Sequence, residues 1–129
     1  MSSFNFKFVA VAALTYTLLA SAAVPSKRSV QWLQENGPAA KALNDQYASL
    51  TTNSTCNNNG DVACIDGAFA TCYEGRYLTW PCSDGWTCSA IPNEWSSGTT
   101  TTCDSNEDIS RRFSEAGVSA SKRSLPSAK

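Results

Sequence analysis

The sequence predicts a small disulfide-rich domain, mainly β. A three-stranded antiparallel meander is expected at about residues 61–82, an N-terminal helix at about 38–49 and a short C-terminal helix at about 105–113. Three observations carry this. Six cysteines, Cys56, Cys64, Cys72, Cys82, Cys88 and Cys103, crowd into the middle of a 129-residue chain. Two dipeptides, Asp66-Gly67 and Glu74-Gly75, sit where two-residue hairpin turns would join three short alternating runs. A chain of this length holds one domain with little apolar material for a core, so cross-links have to supply what packing does not.

In chain order, Lys7 supplies a positive start, residues 8–20 are apolar, and Ala20-Ser21-Ala22 offers small residues for cleavage. Residues 1–22 therefore read as a secretory signal peptide. The apolar run, which includes Thr15, Tyr16 and Thr17, is short against the roughly 20 residues of a membrane span. Residues 23–35 read as a linker or pro-segment containing the dibasic pair Lys27-Arg28; two further pairs, Arg111-Arg112 and Lys122-Arg123, lie toward the other end. Gly37 as cap and Pro38 in the first turn open the expected helix, with Ala40, Leu43, Tyr47 and Leu50 at helical spacing. Residues 51–60 form a polar loop with Asn53-Ser54-Thr55, an N-glycosylation acceptor once the chain is exported.

The two turns set a register: Cys64 opposite Phe69, Phe69 opposite Trp80, and Cys72 opposite Tyr77. Side chains alternate across a strand, so one face carries Val62, Cys64, Phe69, Thr71, Leu78, Trp80 and Cys82. The other carries Ala63, Ile65, Ala68, Ala70, Cys72, Tyr77 and Thr79. Trp80, with Val62, Phe69 and Leu78, is expected on the packed side, while Tyr77 on the alanine-rich face either contacts ligand or packs under the N-terminal helix. After Cys88 comes a loop with Trp95 near its tip, then a threonine run that fits either a further strand ending at Cys103 or an O-glycosylated loop. Asp104 or Ser105 would cap the last helix, with Ile109 and Phe113 inward. Residues 36–113 form the expected domain and 114–129 a disordered tail.

In an exported chain, an even number of cysteines reads as three disulfides. A zinc site fails for want of a Cys-x-x-Cys pair and of any histidine. Cys82 and Cys88 enclose a short turn-rich loop and are expected to pair. Cys64 and Cys72 point to opposite faces, so Cys56–Cys72 and Cys64–Cys103 are the other two pairings expected.

Composition narrows function. Between Ser29 and Ser110 there are two basic residues and ten acidic ones, a net charge of −8. Such a surface repels phosphate backbones and anionic headgroups, which excludes nucleic acid and membrane as partners. Without histidine the usual serine and cysteine catalytic arrangements are missing. The acids lie mostly in turns, where no burial raises a pKa for glycosidase chemistry. The expectation is a non-enzymatic monomer without cofactor. Tyr73, Tyr77, Trp80, Trp86 and Trp95 crowd an otherwise polar segment, and aromatic rings of this kind concentrate in binding patches. Tyr77, Trp86, Trp95 and Trp80 are the candidate ligand contacts, with Trp80 the one closest to a packing role.

The run ACIDGAFATC, followed by YEGRYLTWPC and SDGWTC, resembles the family 19 carbohydrate-binding modules of fungi, small chitin-binding domains found as appendages of chitinases. The flanks NGPAAKALNDQYASLT and GTTTTCDSNEDISRR are similar to those of small secreted fungal proteins carrying this module, so the likeness covers about residues 36–112. It implies a secreted, non-catalytic module binding chitin or N-acetylglucosamine oligomers, extracellular or at the cell wall. It places Phe69 at the family's aromatic after the glycine and Tyr77 at a second aromatic position. The alternative is a secreted, disulfide-stapled interaction protein that binds a protein partner.

Overall fold

The computed structural model describes residues 27–119. The expected signal peptide and most of the expected tail lie outside these residues. Helix α1 (Ser29–Tyr47) leads into a three-stranded meander of β1 (Val62–Ile65), β2 (Ala68–Tyr73) and β3 (Arg76–Trp80). A second sheet pairs β4 (Trp86–Pro92) with β5 (Thr99–Ser105), and helix α2 (Asn106–Ala116) follows directly. Helix and strand are nearly equal in extent, so the domain is α+β with two sheets rather than mainly β with one. The threonine run is the strand β5, paired along its whole length with β4.

Helix α1 begins well before the expected residue 38, and residues 29–35, expected as linker, belong to it. Leu33, Asn36, Gly37, Ala40 and Asn44 are buried in a stripe at helical spacing. That stripe outweighs the local signal of Gly37-Pro38. Pro38 is exposed inside the helix, and Gly37 serves close approach. A Cβ on Gly37 would lie 2.9 Å from Ala116 Cβ and 3.1 Å from Val118 Cγ2. The missing side chain therefore lets the end of α2 lie directly on α1. Helix α2 runs three residues past Phe113. It is capped by the Ser105 hydroxyl, which accepts from Asp108 N–H, and closed by Gly117 at φ 74°.

The meander has the expected register, with Cys64↔Phe69, Phe69↔Trp80 and Cys72↔Tyr77. Both turns have positive φ at both central residues (Asp66 52°, Gly67 83°; Glu74 48°, Gly75 83°), the conformation whose twist suits a two-residue hairpin. Which face packs is the reverse of the expectation. Ala63, Ile65, Ala70 and Cys72 are buried, while on the other face Cys64 is buried at its bond to Cys88 but Val62, Leu78 and Trp80 are exposed. The small side chains win because they let the sheet close on Tyr47 and Leu50, with Tyr77 of β3 on the same face packed against Ala63, Ile65 and Ala70. A second cluster joins Ala40, Ala90, Ile91, Ile109 and Phe113, with Leu43, Tyr47 and Val118 against it.

The disulfides are Cys56–Cys72, Cys64–Cys88 and Cys82–Cys103. The first is the expected one. The other two replace the expected Cys82–Cys88 and Cys64–Cys103. Trp86, Thr87 and Cys88 are already strand, so Cys88 is carried away from Cys82 rather than folded back to it. Cys88 N–H donates to Gly67 O at 2.9 Å, which sets it beside Cys64. The bond Cys64–Cys88 joins the two sheets, and Cys82–Cys103 ties the connection after β3 to β5.

Buried polar groups also position the helix. Asn44 is buried and its amide donates to Ala90 O (3.0 Å) and Ser89 Oγ (3.2 Å), while its Oδ1 accepts from Ala90 N–H (2.9 Å). Asn44→Ala is expected to destabilise the fold by about 2–4 kcal/mol, because it strands groups that water cannot reach. Chemical denaturation of the two proteins measures this, and a change within experimental error would remove Asn44 from that role.

Candidate functional site

The reversed sheet faces place a row of large side chains outward. Val62 on β1, Tyr73 on β2, and Leu78 and Trp80 on β3 share one side of the meander by strand alternation, and all four are exposed. Tyr73 is 56% and Trp80 51% exposed, so each ring offers about half its surface to solvent. Tyr73 lies opposite Arg76, and Trp80 is four residues further along β3, so the two rings sit roughly 13 Å apart along the strand. Cys56–Cys72 anchors β2 from the opposite face, and Cys64, on the same side as the rings, ties β1 to Cys88 of β4.

A second arrangement lies beyond the other end of the second sheet. Trp95 stands in the loop between β4 and β5 and is 75% exposed, more than any other large apolar side chain among the described residues. It lines an open cleft of about 430 Å³ with Ile91, Asn93, Glu94, Ser96, Thr100 and Arg112. Despite that exposure the loop is held from several sides. The buried Asn36 amide donates to Asn93 O (3.0 Å) and Ser96 O (2.9 Å), and its Oδ1 accepts from Gly98 N–H (2.9 Å). Thr100 Oγ1 donates to Asn93 Oδ1 at 2.7 Å, and Gly98 takes φ 106°, open to glycine at no steric cost.

Helix α2 braces the loop electrostatically. Arg111 reaches both oxygens of Glu94 at 3.1 Å, in the parallel geometry that suits guanidinium and carboxylate. Arg112 donates to Pro92 O (2.9 Å) and to Asp108 Oδ2 (2.8 Å), and its Nη2 lies 3.1 Å from Glu94 Oε2. Asp108 also accepts from Arg111 at 2.6 Å. Burial works to raise the Asp108 carboxyl, but hydrogen bonds from Asp104, Arg111 and Arg112 outweigh it and hold it well below the usual carboxylate range. Asp104 is raised by burial and by its hydrogen bond to Asp108. Glu94 and Asp108 raise Arg111 further.

A depressed folded-state value means that Asp108 contributes stability fully above its unfolded value of about 3.9, lost only as pH falls through the folded value. Asp104 acts oppositely, its protonation favouring the folded state as pH falls. Asp108→Asn is expected to cost about 1–3 kcal/mol at neutral pH. Its deficit should narrow steadily below about pH 4. Thermal melts of both proteins from pH 7 to pH 2 check this, and a constant gap would mean that the carboxylate charge is not what matters.

The candidate aromatics do not form one patch. Trp86 is exposed at the first residue of β4 and Trp95 lies three residues beyond its last, so the strand alone separates them by roughly 20 Å. Tyr77 is half-buried against Ala63, Ile65 and Ala70, and burial, then Asp61 and Tyr47, raises its hydroxyl above the usual range. Asn53 is exposed in its loop, and its N–H donates to Thr51 Oγ1. Sequence reasoning passed over Tyr73 and the braces Asn36, Glu94, Arg111 and Arg112. Tyr73 shares the parity of Phe69 and Thr71, a signal the register already held. The braces have none, since their partners are 17 to 62 residues away. Among the described residues no cluster of side chains could hold a metal ion, and no helix is long and apolar enough to cross a membrane. Comparison of the chain with protein-family models, curated proteins and solved structures finds no match to any of them.

Proposed function

We propose that this domain is a secreted, non-catalytic carbohydrate-binding module that takes chitin or N-acetylglucosamine oligomers on its exposed aromatic rings. The observation that carries the reading is the outer sheet face with Tyr73, Leu78, Trp80 and Val62 exposed together on a disulfide-held scaffold. A sugar ring presents a face of C–H groups that lies flat on an aromatic ring, while its hydroxyls need polar partners. The cleft beside Trp95 adds such partners in Asn93, Thr100 and Glu94. Disulfides hold the sheet and the Asn36 hydrogen bonds hold the Trp95 loop, and such constraints reduce the entropy lost on binding. The likeness of the cysteine-rich run to family 19 modules supports chitin among the polysaccharides.

Sedimentation with insoluble chitin, beside cellulose and xylan, tests the ligand. Retention on chitin above the other two is the expected outcome, and absence from all three pellets with the disulfides intact would end this reading. Trp80→Ala and Trp95→Ala are each expected to weaken retention by about 1–3 kcal/mol, with stability changed by about 0.5 kcal/mol or less. Loss of stability without loss of binding would return either ring to a structural role. The flat apolar face also favours a second reading, docking on a protein. In that case a captured wall protein would resist displacement by excess chitin oligomers.

A further inference from the structure

The geometry points to the Arg28–Ser29 peptide bond as a proteolytic processing site, cut by an endoprotease of the secretory pathway that recognises the Lys27-Arg28 pair. Two of the three dibasic pairs lie in the described residues, and their settings differ sharply. Arg111 and Arg112 are in the middle of α2, bound to Glu94, Asp108 and Pro92 O, and the next residue, Phe113, is buried in the core. Presenting that pair to a protease means unfolding the helix and breaking the loop brace. Lys27 and Arg28 are exposed, and Arg28 is extended (φ −85°, ψ 160°), the backbone form that endoproteases hold.

Helix α1 starts at the very next residue. The first buried residue of α1 is Leu33, so the turn at Ser29–Trp32 can open without disturbing the core. Arg28 is tied into that turn, its N–H donating to Gln31 Oε1 (2.7 Å) and its carbonyl accepting from Trp32 N–H (3.2 Å), so cutting requires the turn to open; Lys27 lies 2.6 Å from Glu35 and 4.1 Å from the Trp32 ring centre. Exposed contacts of this kind are weak enough for an enzyme to displace. Hydrolysis consumes one water, leaves a carboxylate on Arg28 and an ammonium on Ser29, and removes Lys27 from the Trp32 ring. The domain that remains keeps every disulfide and both aromatic surfaces. In the organism the step depends on export; the bond's susceptibility does not.

The full oxidised chain is incubated with a purified Lys-Arg-specific endoprotease and followed by N-terminal sequencing. A new Ser29 terminus, formed well before any Phe113 terminus, is expected. A Phe113 terminus appearing as fast, or no Ser29 terminus, would overturn the assignment. Ser29→Pro provides the second variant. Proline suits the first helical position, so the fold is retained, yet it blocks the scissile bond. Persistence of cutting at residue 28 in that variant would equally refute the proposal.

Discussion

Asn36→Ala is expected to weaken chitin retention without touching a ring. The variant removes three hydrogen bonds that hold Asn93, Ser96 and Gly98, and leaves Trp95 itself in place. Stranding these partly buried groups costs about 2–3 kcal/mol of stability. The ordering of the Trp95 loop must then be supplied at each binding event, a cost on the order of 1 kcal/mol, or about fivefold in Kd. A double-mutant cycle with Trp95→Ala separates the two effects. If Asn36 acts through the loop, its effect on binding should vanish once Trp95 is gone. Full additivity would mean that Asn36 supports the fold and nothing more.

Removing the inter-sheet bond by a double Cys64→Ala, Cys88→Ala replacement is the other large effect. The bond closes 24 residues of chain, and the entropy it removes from the unfolded state corresponds to about 3–4 kcal/mol. For a small domain that is a large share of total stability. Urea denaturation of the oxidised variant should show an earlier midpoint by that amount. The same replacement at Cys56 and Cys72, which closes 16 residues, should cost slightly less. An inverted order would point to packing around the sulfurs rather than chain closure.

These expectations rest on features that the sequence carries unequally. The meander was legible down to its register because Asp66-Gly67 and Glu74-Gly75 fix pairing locally. The direction in which it packs was not. Burial was assigned to the face with Trp80, Leu78 and Val62 because those side chains are large. The partner that decides the matter, Tyr47 with Leu50, lies in another element and favours the flat alanine face. Two of the three disulfides differ from the expected pairing for a related reason. A five-residue loop between Cys82 and Cys88 looks closable until β4 is known to begin at Trp86, inside it. The start of α1 was misplaced because Gly37-Pro38 imitates a helix start, whereas Gly37 answers to Ala116, 79 positions along the chain.

For the candidate site, residue type was informative and neighbourhood was not. Trp95 stood out as a loop tryptophan, and its exposure follows. Its braces are ordinary polar residues on two helices, and nothing in their local spacing marks them. Trp80 and Tyr77 exchanged roles with the sheet faces, as a period of two requires.

Tyr47 packs against both apolar clusters, and its hydroxyl shares a hydrogen bond of 2.9 Å with Thr101 on β5. One ring therefore belongs to two miniature cores that are each too small to stand alone. Neither half can melt without withdrawing a wall from the other. Amide hydrogen exchange should accordingly report a single protection level across Ala63, Ala70, Ala90 and Ile109, all four opening together in one cooperative event.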